Sequence, residues 1–359
     1  MAIYLILIAI EIVLALFVKV SFSSKAFQER IIAKVGMFLV FLLLALKADT
    51  VGIDILGYKS QYELAGLMPW NDFSYVYFEK GYLFLTKLFA KLGVSFQLFT
   101  ILLYAFWCYA VYLLIKKYSS NATLSILVFI CYSFLIFSIT GLRQTLAMAL
   151  CLYAFFLCTH NTRKTTVFAI ALTIMAVLVH ESAIVFFLIF TFIWIMQKRV
   201  KIHRWILITA AVIVSRSLLW RIVGVLYQKT MTSFVIGGNF IFLIGMLVFI
   251  AFTYHMQCTK PKKSISNEVK CFDFDSFSVR MIFICVMCYI VFSGGTLLRA
   301  NMYYMMFLIP SIPRSISCYP ARIRVILNVA MGAFMIILFY KEGLLVNQMQ
   351  IWPYTFFWQ

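Results

Sequence analysis

The sequence predicts an all-α integral membrane bundle of about twelve transmembrane helices, with ten to twelve as the range. Hydrophobic residues make up 64% of the 359 residues and charged residues only 12%, whereas soluble domains carry about 25% charged residues. The mean hydropathy is +1.00. Because apolar segments cover nearly the whole chain, we expect a single membrane domain, residues 1–359, with no separate soluble domain.

The distribution of positive charge predicts the topology. The net charge is +19, and 20 of the 31 Lys and Arg residues fall in alternate loops. These loops are residues 19–34, 116–117, 163–164, 198–204, 260–280 and 314–324. Positively charged loops stay in the cytoplasm, so we expect these loops inside and both termini outside. This pattern favours a topological role for the charge, and we predict no nucleic-acid partner.

Twelve apolar segments fit this alternation. They are residues 2–18, 31–47, 95–115, 122–139, 142–158, 165–180, 183–196, 205–220, 236–256, 281–297, 300–312 and 323–340. Several are shorter than the roughly 20 residues that a spanning helix needs, which sets the range of ten to twelve. Pro310 and Pro313 are expected to end the eleventh segment. The aromatic tail after Tyr340 is expected to rest at the membrane interface.

The outer segment 48–94 is expected to contribute to the functional site. Asp54 and Glu79 lie there among aromatic rings that include Tyr58 and Tyr82. One interpretation is an aromatic belt at the interface; the other is a loop whose rings stack on sugars and whose carboxylates bind hydroxyls.

The second part of this segment predicts a short helix near residues 81–92 that lies in the outer leaflet. Apolar residues recur there at helical spacing, while Lys80, Lys87 and Lys91 occupy another face. Such a helix would contact membrane lipids, with its lysines at the phosphate groups.

Ionisable residues inside apolar segments indicate a functional site, because charge at membrane depth is costly. His180 follows Lys164 by about 24 Å of helix, against a hydrocarbon core of about 30 Å, and is therefore expected below the outer surface. Arg143 is expected near the outer boundary. We predict that both face one recessed cavity that opens outward.

Four arginines are expected on the outer face although positive residues are depleted there: Arg143, Arg216, Arg221 and Arg299. Arginine binds phosphate through a rigid fork of donors and stays protonated, so these residues are candidates for binding a diphosphate. The alternative is snorkelling or pairing with outer carboxylates.

The acid–base candidates are His180, Glu181, Glu79 and Asp54. His180 could orient a diphosphate or transfer a proton, or it could be a packing residue. Glu181 could instead only cap the following helix.

The sequence contains no nucleotide-binding loop, no dinucleotide fingerprint and no zinc-protease or nucleophile-elbow motif. The energy for a reaction or for transport must then come from the substrate itself or from a gradient. The nine cysteines lie in apolar segments or inner loops, and the Cys285–Cys288 pair has no further ligand nearby. We therefore predict no metal and no cofactor.

Six motifs in order resemble the EpsG-like branch of the Wzy-type exopolysaccharide and O-antigen polymerases. They are Asp54 with Tyr58, FEKGY (Phe78 to Tyr82), KKYSSN (Lys116 to Asn121), GLRQTLAMAL (Gly141 to Leu150), VHESAI (Val179 to Ile184), and Arg299 with Tyr303 and Pro310. One departure is Lys80 before Gly81, where the family often has proline. The two large outer loops of better-known O-antigen polymerases are also missing.

The resemblance implies a polymerase of the bacterial inner membrane with its active site facing the periplasm or exterior. Such an enzyme transfers a growing glycan from undecaprenyl diphosphate to the free sugar end of another carrier-linked repeat unit. Arg143 and Arg299 would hold the leaving diphosphate, with His180 beside it. The candidate substrate-binding residues are Gln144, Tyr58, Tyr82 and Tyr303. A chain-length regulator and a flippase are the expected protein partners.

Three other functions stay open at this point. A glycan ligase would use the same donor with another acceptor. A polyisoprenoid-glycan flippase would need a site at the midplane and inverted repeats, which the sequence does not display. A membrane acyltransferase could use His180 but would need a path for a cytoplasmic acyl donor.

Overall fold

The computed structural model describes residues 1–74, 78–160, 162–194, 207–208, 210–212, 214–215, 218, 272–291 and 296–359. Their regular structure is helical, and a single isolated β-bridge joins Lys47 to Phe356 in the described part. The all-α prediction is confirmed. The described chain forms two compact units, the first comprising Met1–Ile184 with Ile309–Gln359 and the second Val185–Leu308.

The described part of the chain is built from helices. They are α1 Ala2–Ser21, α2 Lys25–Ala45, α3 Ile55–Leu67, α4 Lys80–Lys91, α5 Phe96–Tyr118, α6 Ala122–Cys131, α7 Phe134–Thr140, α8 Leu142–Cys158, α9 Arg163–Val179, α10 Phe187–Trp194, α11 Phe274–Val291, α12 Met302–Met305, α13 Leu308–Ile316 and α14 Ala321–Leu338. Two 3₁₀ helices, Glu181–Phe186 and Thr296–Asn301, and a π-helix, Phe339–Leu345, complete the list.

Three described helical segments are long and apolar enough to cross a membrane: Ala2–Ser21, Phe96–Tyr118 and Ala321–Leu345. A fourth is obtained if α6 and α7, which are bent by 49° at their junction, form one broken span. The chain is therefore a multi-pass membrane protein. The count of twelve spans is not shown by the described residues and stays a prediction.

The termini and the start of the outer segment lie at one end of the first unit. The Tyr4 hydroxyl donates to the Ile351 carbonyl at 2.6 Å, and the Ala48 amide donates to the Thr355 carbonyl at 2.9 Å. Since α1 begins and α2 ends here, this end corresponds to the one predicted to lie outside.

Predicted inner loops meet at the opposite end of the same unit. Glu29, at the start of α2, accepts from the Ala122 amide at 2.5 Å, and the Ser120 hydroxyl donates to the Pro313 carbonyl at 2.8 Å. Arg314 lies 3.5 Å from the Tyr118 carbonyl. These contacts bring three of the predicted inner loops, 19–34, 116–117 and 314–324, to one end of the unit. The alternation of all the loops and their assignment to inside and outside remain predictions.

The structure differs from the sequence interpretation along the outer segment. The stretch treated as a loop contains helix α3, Ile55–Leu67. The predicted short helix exists as α4, Lys80–Lys91, but Lys87 does not face lipid. It is buried, and its ammonium donates to the carbonyls of Pro69 at 2.7 Å and Asp72 at 2.5 Å. Lys87 therefore holds the connection between α3 and α4 in place.

Two further expectations are corrected. The segment 122–139 is not one straight span, because Ser133 adopts a left-handed backbone conformation with φ 68° between α6 and α7. Pro313 lies inside helix α13 and does not end it.

The aromatic tail packs against the protein at this end of the first unit, and its location at the membrane interface stays a prediction. The Gly52 amide donates to the Gln350 carbonyl at 2.9 Å, and the Phe357 amide donates to the Leu46 carbonyl at 3.0 Å. Tyr354 donates to the Leu43 carbonyl at 2.7 Å. These bonds satisfy backbone groups on both segments and fix the tail beside the beginning of the outer segment.

Candidate functional site

The carboxylate of Glu79 joins an arginine and a histidine that lie far apart in the chain. Its Oε2 accepts from Arg143 Nη1, and its Oε1 lies 2.7 Å from His180 Nδ1. The Glu181 amide also donates to Oε1, at 3.2 Å. The three side chains are between 17% and 21% exposed, so they are shielded from bulk water yet still accessible to a ligand. We call Glu79, Arg143 and His180 the central cluster.

Aromatic rings hold the guanidinium of Arg143. Its carbon lies 4.0 Å from the centroid of the Phe78 ring, and its Nε donates to the Tyr58 hydroxyl at 3.4 Å. Tyr82 packs against Tyr58 and Phe78, with ring centroids 6.0 and 5.9 Å away. A guanidinium over an aromatic face is attracted by the ring quadrupole. The rings therefore restrict the orientation of Arg143.

Helix ends supply all three residues of the central cluster. Glu79 is the residue before α4, but its carboxylate makes no capping bond to that helix because Arg143 and His180 occupy it. His180 follows the last residue of α9 in an extended conformation. Arg143 lies in the first turn of α8, whose N-terminus has no side-chain cap. Helix ends are free of the i to i−4 backbone ladder and can present side chains to one another.

Gly81 permits the close approach that brings Glu79 to His180. A Cβ atom at this position would lie 2.6 Å from the Leu178 carbonyl oxygen and 2.7 Å from the Leu178 Cβ. Helix α4 can therefore contact the end of α9 only with glycine here. The departure from the family pattern at Lys80 leaves this contact intact, because the Lys80 side chain is exposed.

The electrostatic environment keeps Glu79 ionised. Burial alone would raise its pKa, but the hydrogen bond with His180 and the charge of Arg143 outweigh burial and lower the pKa to about 2. An ionised carboxylate can only accept hydrogen bonds. His180 therefore carries a proton on Nδ1, and its Nε2 is the ring nitrogen available to exchange a proton.

The other predicted residues of the first unit occupy different surroundings. Asp54 is exposed and precedes α3 without a side-chain capping bond. Glu181 contributes its amide to the cluster while its side chain is exposed. Gln144 is 3% exposed in the first turn of α8, and Tyr82 is 2% exposed. Tyr82 thus forms part of the wall behind Arg143.

The remaining predicted residues lie elsewhere. Arg299 and Tyr303 belong to the second unit; Arg299 is exposed in a 3₁₀ helix, and Tyr303 is fully buried. Arg216 and Arg221 lie outside the described residues. Within the described ranges, no three side chains among His, Cys, Asp and Glu are grouped so as to hold a metal ion. Metal independence stays a prediction.

Phe78 is a site residue that the sequence analysis did not single out. Its ring lies beneath the Arg143 guanidinium and also contacts Tyr58, with the centroids 5.6 Å apart. The only signal in the sequence is its position next to Glu79 within FEKGY. A single aromatic residue in a segment rich in aromatic residues gives no indication of which charge it contacts.

We expect Gly81→Ala to reduce activity about 100-fold, because displacing a catalytic group by about 1 Å has an effect of that size. The added methyl group would push α4 from α9 and separate Glu79 from His180. The measurement is the activity of the protein together with its melting temperature. Gly57→Ala is the matched control, since a Cβ there would contact nothing within 4 Å. Full activity in Gly81→Ala would contradict the proposed role of this contact.

The described helices that are long and apolar enough to cross a membrane define a multi-pass membrane protein. Its first unit contains a shielded Arg–Glu–His cluster at the ends of α4, α8 and α9. The comparison with family models identifies it further. The EpsG family model matches residues 31–356, so the chain belongs to the EpsG family, whose membrane proteins are linked to exopolysaccharide biosynthesis. This confirms the resemblance. Comparisons with curated proteins and with solved structures found no match.

Proposed function

We propose that the protein is a polysaccharide polymerase that joins undecaprenyl-diphosphate-linked repeat units at the outer face of the bacterial inner membrane. The observation that carries the proposal is the bridging of Arg143 and His180 by the Glu79 carboxylate. This arrangement places a fixed cation and a proton-exchanging nitrogen next to each other, and transfer from a glycosyl diphosphate needs both.

Arg143 is proposed to bind the leaving diphosphate. The described contacts of its guanidinium use Nη1 toward Glu79 and Nε toward Tyr58, and three of the five N–H donors remain for phosphate oxygens. The N-terminus of α8, which has no side-chain cap, adds the positive end of the helix dipole beside this guanidinium. Both favour negative charge that develops on the diphosphate in the transition state.

His180 is proposed to accept the proton of the acceptor hydroxyl. The Glu79 carboxylate fixes the proton on Nδ1, as a carboxylate does for the histidine of a catalytic triad, so that Nε2 can act as the base. The acceptor oxygen bonds to the anomeric carbon while the bond from that carbon to the diphosphate oxygen breaks. The proton goes to Nε2, and the carrier leaves as undecaprenyl diphosphate. Glu79 acts in this scheme as the residue that positions the other two.

Asp54 and Glu181 remain proposed acid–base candidates, and Gln144 and Tyr303 remain proposed substrate-binding residues. Arg299 remains a proposed ligand of the diphosphate. The remaining arginines, Arg216 and Arg221, keep their predicted role in binding the diphosphate. The partners are the carrier-linked donor and acceptor, membrane lipids, a chain-length regulator and a flippase.

The experiment that tests this function supplies the purified chain in lipid nanodiscs with carrier-linked repeat units alone. A polymerase produces a ladder of lengths, with undecaprenyl diphosphate released at each step. A glycan ligase produces no ladder without its own acceptor, and a flippase releases no diphosphate. Absence of the ladder would refute the proposed function. The same reaction in EDTA tests metal independence, which loss of the ladder would contradict.

A further inference from the structure

A cavity of about 530 Å³ lies in the first unit beside helix α3, outside the central cluster. Residues from α3 and the segment before it, from the end of α4 to the start of α5, and from the C-terminal tail line it, among them Asp49, Lys59, Tyr62, Glu63, Gln97 and Phe357. Its volume falls within the range of about 300–1,000 Å³ that is usual for small-molecule sites. The cavity is large enough for a ligand.

The cavity and the central cluster use neighbouring positions of the same helix. Tyr58 contacts Arg143, and Tyr62 follows it by one turn, a rise of about 6 Å along α3. The Tyr62 hydroxyl donates to the Val94 carbonyl at 2.8 Å, which fixes this ring between the two regions. The two regions therefore lie about one helical turn apart along α3.

Charged side chains of both signs border the cavity. Lys59 is paired with Asp49 at 2.5 Å, which cancels its charge, and Glu63 lies exposed on the same helix. The Lys91 ammonium donates to the carbonyl of Gly66, another lining residue, at 3.3 Å. The carboxylate of Glu63 makes no ion pair in the described part of the chain and is therefore available to a ligand.

Aromatic surface accompanies these polar groups. Phe357 is 48% exposed although its amide is bonded to the Leu46 carbonyl at 3.0 Å, so its backbone is fixed while its ring is open to a ligand. Gln97 donates one N–H to the Ala45 carbonyl at 2.6 Å and keeps its amide oxygen as an acceptor. An apolar face with a few fixed polar groups is the usual composition of a specific small-molecule pocket.

We propose that this cavity is a saccharide subsite that binds the sugar end of a carrier-linked substrate, remote from its diphosphate. The proposal rests on the proposed function and extends it. The carboxylate of Glu63 and the amide of Gln97 bind hydroxyl groups, and the Phe357 ring covers an apolar face of a sugar.

The first experiment measures binding without turnover. The repeat-unit oligosaccharide is released from its carrier by mild acid and added to the full-length protein in nanodiscs, and saturation-transfer NMR gives the affinity. We expect Glu63→Gln and Phe357→Ala each to weaken binding about tenfold, the effect of losing one good contact. Phe168→Ala is the matched control, since Phe168 is 54% exposed on α9 and does not line the cavity.

The outcomes of this experiment distinguish failure of the subsite proposal from failure of the proposed function. Glu79→Gln should bind the released oligosaccharide as the wild type does, because the central cluster is not needed for this contact. Wild-type affinity in both Glu63→Gln and Phe357→Ala, or no binding by the wild type, would overturn the subsite. Failure of the proposed function would appear separately, as a wild-type protein that binds the oligosaccharide but makes no ladder from carrier-linked units.

Discussion

Replacing Glu79 with glutamine is expected to reduce polymer formation by at least about 100-fold, the lower limit for the contribution of a positioned acid or base. Glutamine has nearly the same size, but it presents one oxygen and one NH₂ group where the carboxylate presents two acceptors. With the oxygen toward Arg143, the NH₂ group faces His180 Nδ1 and forces the histidine proton onto Nε2. The base is then in the wrong tautomer.

Glu79→Asp provides the graded comparison. It keeps the charge but withdraws the carboxylate by one methylene, so we expect activity between that of the wild type and that of Glu79→Gln. Ladder formation in nanodiscs is the measurement, and the melting temperature shows whether each variant is folded. A folded Glu79→Gln protein with a normal ladder would exclude the proposed role of the central cluster.

Replacing Arg143 is expected to have the second large effect. Arg143→Ala should lose about 10²–10³-fold in kcat, as removal of one preorganised donor to a developing anion does. Arg143→Lys should recover only part of this loss. Lysine keeps the charge, but it cannot contact Glu79, the ring of Phe78 and a phosphate with one planar group.

Arg163 offers the control for Arg143. It is an exposed arginine at the start of α9, away from the central cluster, and Arg163→Ala should retain the wild-type rate. Single-turnover measurements separate chemistry from product release. An Arg143→Ala protein that inserts normally and extends chains at the wild-type rate would show that the diphosphate is held elsewhere.

The pattern of hydrophobicity was sufficient to predict most helices of the first unit. The predicted segment 142–158 coincides with α8, and 165–180 differs from α9 by only one or two residues at each end. These segments are long and uniformly apolar, and their ends are marked by charged residues. The local hydrophobic pattern is therefore sufficient to predict these two helices.

Helix α3 and the tail show where local pattern is insufficient. Asp54, Lys59 and Glu63 give the first outer segment the composition of a loop, yet α3 forms because Tyr58 and Tyr62 bury their rings on one face. The tail is held by hydrogen bonds to residues about 300 positions earlier, such as the one from the Ala48 amide to the Thr355 carbonyl. The residue pattern within a short segment cannot predict hydrogen bonds between segments so far apart in the chain.

The sequence indicates the three residues of the central cluster as candidates, but it does not indicate that they contact one another. Arg143, His180 and Glu79 each stand out as ionisable residues beside apolar segments. Glu79, however, lies 64 positions from Arg143 and 101 from His180, and several carboxylates in the outer segment were equal candidates. Packing of α4 on α9 at Gly81 selects Glu79, and this is a tertiary contact.

The most direct test of the central claim is a structure of the full-length chain in nanodiscs with an undecaprenyl-diphosphate-linked repeat unit bound. We predict the diphosphate within hydrogen-bond distance of Arg143 and the N-terminus of α8, with His180 Nε2 facing the reacting sugar. A diphosphate bound away from Arg143, for example beside the exposed Lys80 and Lys91 of α4 with the central cluster empty, would contradict the proposal.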